Sequence, residues 1–363
     1  MKTIKISAIA GVLAMGLFSC MKDNMNMSTP SPELNINYPA AYIVNGQSND
    51  VYVISLETNT VKEVIKLGEM ADASHDGMNM STGISWPHHI YLNPAKTLLS
   101  IGVPGMDLSA GHSGGMAGMK GKIALVDAVK GKVTKVLDLP VMNHNAAFSS
   151  DGSEIWTAQM EESGKVLVYD ANNYTLKKTI AVGGQPAEVT FSSDGTMAFA
   201  ANGHDSSVTV INASTKEVMA TLKVGADPVG AWAGSDGNMY VDNEEGKSIS
   251  IINVATMSVT GTIDLGFMPG FAAYNSQMKE LWVTDPDNGK VHYWTFDSSM
   301  KMWMHGSAFE TGKGAHAIAF TKDEMTAYIT NQTANTVSVV EVMSHKETKE
   351  IPVGTKPNGI VIK

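Results

Sequence analysis

Cysteine is almost missing from this sequence: Cys20 stands alone among 363 residues. That excludes an intramolecular disulfide, a thiolate metal cage and a haem attached through paired cysteines. Basic residues are scarce too, with 26 Lys and Arg against 36 Asp and Glu and a net charge of −10. Nucleic acid is therefore excluded as a partner class, because its binding relies on Lys and Arg neutralising phosphates. The apolar stretch from Ile6 to Phe18 is shorter than the roughly 20 residues that a membrane-spanning helix needs. Gly-rich phosphate loops, a Ser-His-Asp arrangement and a cysteine nucleophile are also missing. Length alone would allow two domains; the internal repeats described below argue for one.

The N-terminus is organised for export. Lys2 and Lys5 precede the short apolar stretch, which ends in Leu17-Phe18-Ser19-Cys20. That ending resembles the lipobox of bacterial lipoproteins. The resemblance implies a signal peptide over 1–19, lipidation at Cys20 and anchoring without a transmembrane segment. The competing interpretation is an ordinary signal peptide with an incidental cysteine. Residues 20–37 are rich in Met, Asn, Ser and Pro and read as a lipidated flexible tether. Lys22-Asp23 is similar to surface-export signals of Bacteroidetes-like lipoproteins. The expected location is a membrane, the outer membrane first, on its periplasmic or cell-surface side. The expected partners are that membrane and another envelope protein.

Residues 38–363 repeat. One unit opens with Gly184-Gln185-Pro186-Ala187-Glu188-Val189 and turns at Ser193-Asp194-Gly195. It continues through Phe199-Ala200-Ala201-Asn202 and Ser207 to Asn212, and ends with Val218 to Val224. Short alternating runs divided by Asp-Gly and Asn-Gly type turns are strand and hairpin signals, and four strands per unit make a propeller blade. Equivalent openings fall near Pro87, Asn143, Pro186, Pro228, Pro269, Ala315 and Pro357. The last opening strand, from Asn358 to Lys363, has nothing after it, whereas Ala41 to Leu67 supplies three strands with no opener. The expected fold is all-β: one seven-bladed β-propeller of four-stranded blades, with the ring closed by N- and C-terminal strands in one blade. Ala41-Tyr42-Ile43-Val44-Asn45 and Ala327-Tyr328-Ile329-Thr330-Asn331 resemble the signature of the YVTN-type β-propeller repeats, and the Phe-Ser-Ser-Asp-Gly turns at Phe148 and Phe191 fit it. Propellers host many unrelated activities, so the resemblance implies a fold and not a function.

In a blade the innermost strand runs from the upper face down the channel. The residue after each opening Pro or its substitute is His88, His144, Ala187, Val229, Gly270, His316 and Asn358 in turn. Ten histidines in 363 residues leave well under one expected in seven positions; three are found, and His89 follows His88. Ring order puts them on four contiguous blades at the channel mouth. Polar residues that only bind channel water are the plain alternative. Glu188 stands near them as a lone carboxylate, weak ground for acid–base chemistry. His75, His112 and His204 occupy loops that the same topology assigns to the upper face. Met70, Met78, Met80, Met106, Met116 and Met119 lie in Gly-rich or polar loops there and, by sequence, have no core to fill. A flexible apolar loop that docks a partner is the other reading of these methionines.

Imidazole with thioether favours copper over zinc. The expectation is a copper site built on His88, His144 and His316, with His89 as the next ligand. His75, His112, His204, Met78, Met80, Met106, Met116 and Met119 are the further candidates. The His-His pair and the convergent histidines resemble the propeller domain of nitrous oxide reductase, whose cluster uses seven histidines and is joined by a second copper domain that this chain lacks. Three functions follow as expectations: a copper-binding envelope lipoprotein, a copper-dependent redox enzyme, or a metal-free interaction scaffold. His292, His305 and His345 read as structural or solvated, and Trp86, Trp156, Trp232, Trp282 and Trp294 as strand residues packed in the core.

Overall fold

The structure is a computed structural model that describes residues 34–68, 82–109 and 118–363. The described residues form seven four-stranded antiparallel sheets, and their only helical element is a 3-10 turn at Val342–Ser344. Blade 1 takes its inner strand, Pro357–Ile362, from the C-terminus and its other three, Ala40–Asn45, Asp50–Ser55 and Thr60–Lys66, from the N-terminal side. The expected closure is therefore present. Ala41 pairs with Ile362, Tyr42 with Val361 and Ile43 with Ile360. The inner strands of blades 2 to 7 are Ile90–Leu92, Ala147–Phe148, Pro186–Phe191, Pro228–Ala233, Ala272–Asn275 and Ala315–Phe320.

Inner and second strands are apolar and buried, while outer strands such as Leu176–Ala181 and Lys346–Pro352 are mostly exposed. The core is accordingly divided among the seams. Each of the seven blade-to-blade interfaces has its own apolar cluster, from Tyr42, Val44, Leu99 and Ile101 between blades 1 and 2 to Ile43, Ile54, Val337 and Val339 between blades 7 and 1. A blade has no core of its own, so it is stable only between neighbours. The second strands of blades 1, 4, 5 and 7 end in Asn45, Asn202, Asn243 and Asn331. Each side-chain amide donates to the third strand or the turn before it, as from Asn202 to Ser207 Oγ (3.1 Å) and Thr209 Oγ1 (3.0 Å).

Two departures from the expected pattern bear on function. In blades 2, 3 and 6 the inner strand begins three or four residues after Pro87, Asn143 and Pro269, because the residues between depart from regular pairing, although His88 N–H still donates to Gly102 O at 2.8 Å and Gly270 N–H to Thr284 O at 3.2 Å. In blades 1, 4, 5 and 7 the register shifts near the same point, between Pro186 and Val189 for example. Such bulges re-aim side chains. The chain enters them with left-handed backbone at Trp86 (φ 52°), Gln185 (φ 49°), Asp227 (φ 53°) and Lys356 (φ 58°), a conformation held only by its surroundings. Trp86 thus lies in a turn rather than a strand, and its N–H donates to Asn49 Oδ1 at 2.9 Å. Ile36, placed in the tether by composition, is fully buried, and its N–H donates to Val129 O at 2.8 Å.

Candidate metal centre

The bulged entries carry two rows of side chains toward the channel, one residue and two residues after each opening position. The first row supplies His88, His144 and His316. The second supplies His89 and Glu188. Ring centroids lie 4.1 Å apart for His88 and His144, 4.7 Å for His88 and His89, 5.1 Å for His89 and His144, and 5.6 Å from His316 to each of His88 and His89. Close backbone approach sets this spacing. A Cβ on Gly359 would meet His88 O and His89 Cα at 2.9 Å, and one on Gly102 would meet His144 O at 2.4 Å. Only glycine lets these strands come so near.

Glu188 is the centre of the arrangement and is fully buried. Its Oε1 lies 2.6 Å from His144 Nδ1 and 3.0 Å from His89 Nε2. One carboxyl oxygen thus ties the two imidazoles together by hydrogen bonds. Oε2 accepts from Tyr91 Oη and Asn145 Nδ2, both at 3.3 Å. Burial first, and the Glu188 charge next, push the Tyr91 hydroxyl well above the ordinary tyrosine value, which keeps it a donor. His316 Nδ1 lies 3.4 Å from the Asn358 carbonyl, a contact that holds its proton on Nδ1 and leaves a lone pair on Nε2.

Two overlapping donor sets result, His88–His89–His316 and His89–His144–Glu188, with the donor atoms of each within 4.8 Å of one another. Ligands of one ion at 2.0–2.1 Å lie no more than about 4.2 Å apart. Three ligands around one ion average no more than about 3.6 Å apart at that bond length, so the widest pairs would close by up to about 1 Å from the 4.8 Å limit. The ion would take the place of the protons shared with Glu188.

Of the other residues singled out by sequence, His204 is absent from this cluster. Its side chain is 56% exposed and its Nδ1 lies 3.4 Å from Asp205 Oδ1. Met106 and Met119 do have a core to fill: they pack on Leu108, Met142, Met160, Ala187 and Val229 at the upper face. Thioethers are adaptable apolar filler there. His75, Met70, Met78, Met80, His112, Met116 and Cys20 lie outside the described residues. His345 sits 2.8 Å from Glu280 and stacks on Tyr293 at 4.1 Å, a structural role as expected.

The cluster forms one wall of a cavity of about 260 Å³ at the channel mouth, partly covered by Leu108 and Ser109. The opposite wall is Trp232, Phe271's neighbour Gly270, Met268, Pro269 and Asp242. Trp232 is half-buried in its strand, packs on the apolar cluster between blades 5 and 6, meets Phe271 at a tilt with centroids 3.8 Å apart, and also lines the cavity. A larger cleft of about 1040 Å³, lined by Trp294, Trp303 and His305, lies on the outer strands of blades 5 and 6 and contains none of the clustered histidines. The small cavity holds the converging donors and is the candidate site.

Asp242 was not marked by any sequence pattern. It is 1% exposed. Its Oδ1 accepts from Gly230 N–H and Trp232 Nε1–H, both at 2.9 Å, and its Oδ2 has no hydrogen-bond partner among the described residues. Burial, with Glu244 and Glu188 adding to it, holds its pKa well above the ordinary carboxyl value. The folded protein then keeps a proton that the unfolded chain releases near pH 4. Stability contributed by this group falls as pH rises above that value, by about 1.4 kcal/mol per unit until the folded-state pKa is passed. Asp242→Asn keeps both accepted bonds without the titration. It is expected to be more stable than wild type at pH 7, by roughly 1–3 kcal/mol, and nearly equal at pH 4. Urea unfolding at both pH values measures this, and parallel pH profiles for the two proteins would contradict it.

No protein-family model and no curated protein matches the chain. Among solved structures, it is similar to the periplasmic gluconolactonase of Pseudomonas aeruginosa, with TM-score 0.65, 15% identity and coverage of 89% of this chain and 99% of that one. A putative 6-phosphogluconolactonase from Bacteroides fragilis gives TM-score 0.67 and 15% identity over 90% and 98% of the two chains. Hydrazine synthase from Kuenenia stuttgartiensis gives 0.62 and 17% over 78% and 91%. Likeness at this level of identity establishes the seven-bladed propeller and leaves the chemistry to the site itself.

Proposed function

We propose that this protein is an envelope lipoprotein whose propeller binds a borderline transition-metal ion, copper above all, at the channel mouth through His88, His89, His144, His316 and Glu188. The convergence of four imidazoles and one buried carboxylate from four blades carries the reading. Nitrogen and oxygen donors bind divalent first-row ions most tightly at Cu2+. The methionine loops, with Met78, Met80, Met116 and the histidines His75 and His112, would capture Cu(I). Met106 and Met119 belong to this second role only insofar as they can leave their apolar cluster. The recurrent Asn45, Asn202, Asn243 and Asn331 bonds support kinship with YVTN-type repeats. Elemental analysis of the protein purified without added metal tests the reading, followed by chelator competition with Cu2+ and Zn2+. Absence of bound metal together with micromolar or weaker Cu2+ affinity would leave the metal-free scaffold as the function.

A second reading, a metal-assisted enzyme, draws on the cavity beside the donors. Kinship with nitrous oxide reductase is weakened by the count, since four histidines rather than seven converge among the described residues. The names of the structural neighbours suggest lactone hydrolysis. The described cavity walls carry no Lys or Arg to hold a phosphorylated sugar acid, so an uncharged lactone is the substrate to assay, with and without copper.

The anchoring part of the proposal rests on Cys20. Cys20→Ala is expected to move the protein from the membrane fraction to the soluble fraction or to stop its processing, because acyl chains supply about 0.8 kcal/mol per buried CH2. Fractionation with metabolic lipid labelling measures it; unchanged membrane retention of the variant would overturn it.

A further inference from the structure

We propose that the Asp242 side of the channel-mouth cavity binds a small primary ammonium compound, with the Asp242 carboxyl as counter-charge and Trp232 as its aromatic wall. Blade 5 supplies the carboxyl and the indole, and His89 lies 5.7 Å from that indole. No metal ion takes part, so the inference does not rest on the metal reading.

The starting observation is the unmatched oxygen. Two N–H donors, Gly230 N and Trp232 Nε1, hold Asp242 Oδ1 and so fix the carboxyl plane. Asp242 is among the cavity-lining residues, and its Oδ2 is buried without a partner among the described residues, in a side chain that is 1% exposed. Buried polar atoms are nearly always matched, and a site that leaves one unmatched is suited to a ligand that completes it. An ammonium group has three donors and no acceptor. At hydrogen-bond distance it would also restore the charged carboxylate that burial disfavours.

The surrounding wall selects the same class. Trp232 and Phe271 lie with centroids 3.8 Å apart, and indole is the best partner for a cation over its ring face. Glu188, Glu244 and Asp287 line the cavity beside Asp242, and no Lys or Arg does so among the described residues. Such a field attracts cations and repels anions. Val229, Met268 and Pro269 offer apolar surface for a short carbon chain. A volume of about 260 Å³ matches eight or nine water-sized groups at roughly 30 Å³ each, which limits the guest to a short amine.

The test uses the full chain in detergent after dialysis against EDTA, with n-butylamine as probe and butan-1-ol and butyrate as controls of equal length. Calorimetry and tryptophan fluorescence read binding. The expected result is millimolar binding of n-butylamine and none of either control. Asp242→Asn is expected to weaken the amine at least ten-fold, and Trp232→Leu at least three-fold. His88→Ala/His144→Ala is expected to leave amine affinity within two-fold, so loss of the metal site and loss of the amine site are told apart. Failure of n-butylamine to bind wild type, equal binding by folded Asp242→Asn, or equal binding of butyrate would each overturn the proposal.

Discussion

A chain ending at Lys356 is expected to lose cooperative folding of the ring. The seven residues removed are the whole inner strand of blade 1 and Lys363. Their loss strips the ladder from Ala40–Asn45, every residue of which is buried. It also removes Ile360 and Ile362 from the seam with blade 7 and Val361 from the seam with blade 2. Three partly buried aliphatic side chains contribute about 1–2 kcal/mol each, and each ladder bond about 1 kcal/mol. The sum, roughly 6–10 kcal/mol, is comparable to the whole stability of a typical domain. Further ties are lost with Asn358, whose side chain donates to Pro87 O (3.2 Å) and accepts from Gln332 (2.7 Å). Circular dichroism and calorimetry would show no two-state transition, and a synthetic peptide of residues 355–363 should restore one. A truncated protein that melts like wild type would refute the clasp.

His88→Ala/His144→Ala is expected to lower Cu2+ affinity by at least about a thousand-fold, given that removal of even an outer-shell partner of a metal ligand costs 10–100-fold. His88 and His144 stand on adjacent blades, with rings 4.1 Å apart, and each belongs to a different donor set. Losing both leaves neither set complete. Glu188→Gln should lose less, about 10–100-fold, because the oxygen remains and only the charge goes. Protons compete with metal for imidazole nitrogen, so affinity should fall on acidification. Exchanging Met78, Met80 and Met116 for Leu should weaken Cu(I) uptake and spare Cu2+. Chelator competition in each oxidation state measures all of these. A double-histidine variant that binds Cu2+ as tightly as wild type would show that the channel mouth is not the site.

These two experiments also separate what is local in this protein from what is not. Short apolar runs, Asp-Gly turns and the seven recurring openings are written along the chain, because strand and turn conformation depend on residues a few positions apart. From them the blades, the split blade 1 and the row of His88, His144 and His316 could be read before any coordinates. Glu188 and His89 sit one residue further on, where strict alternation would turn them away from the first row. The bulged or delayed strand entries undo that alternation, and only the folded ring shows it. The same holds for the methionines: Met106 and Met119 look coreless in sequence, yet the upper face supplies them a cluster drawn from blades 3, 4 and 5. Asp242 and Trp232 meet across one hairpin, but their place in the cavity depends on Phe271 and His89 from other blades. The sequence by itself determined the repeat, the strands and the clasp, since each follows from short-range patterning. The tertiary structure alone decided which side chains share the channel mouth, since convergence on an axis depends on ring closure and on backbone irregularities that no local period encodes.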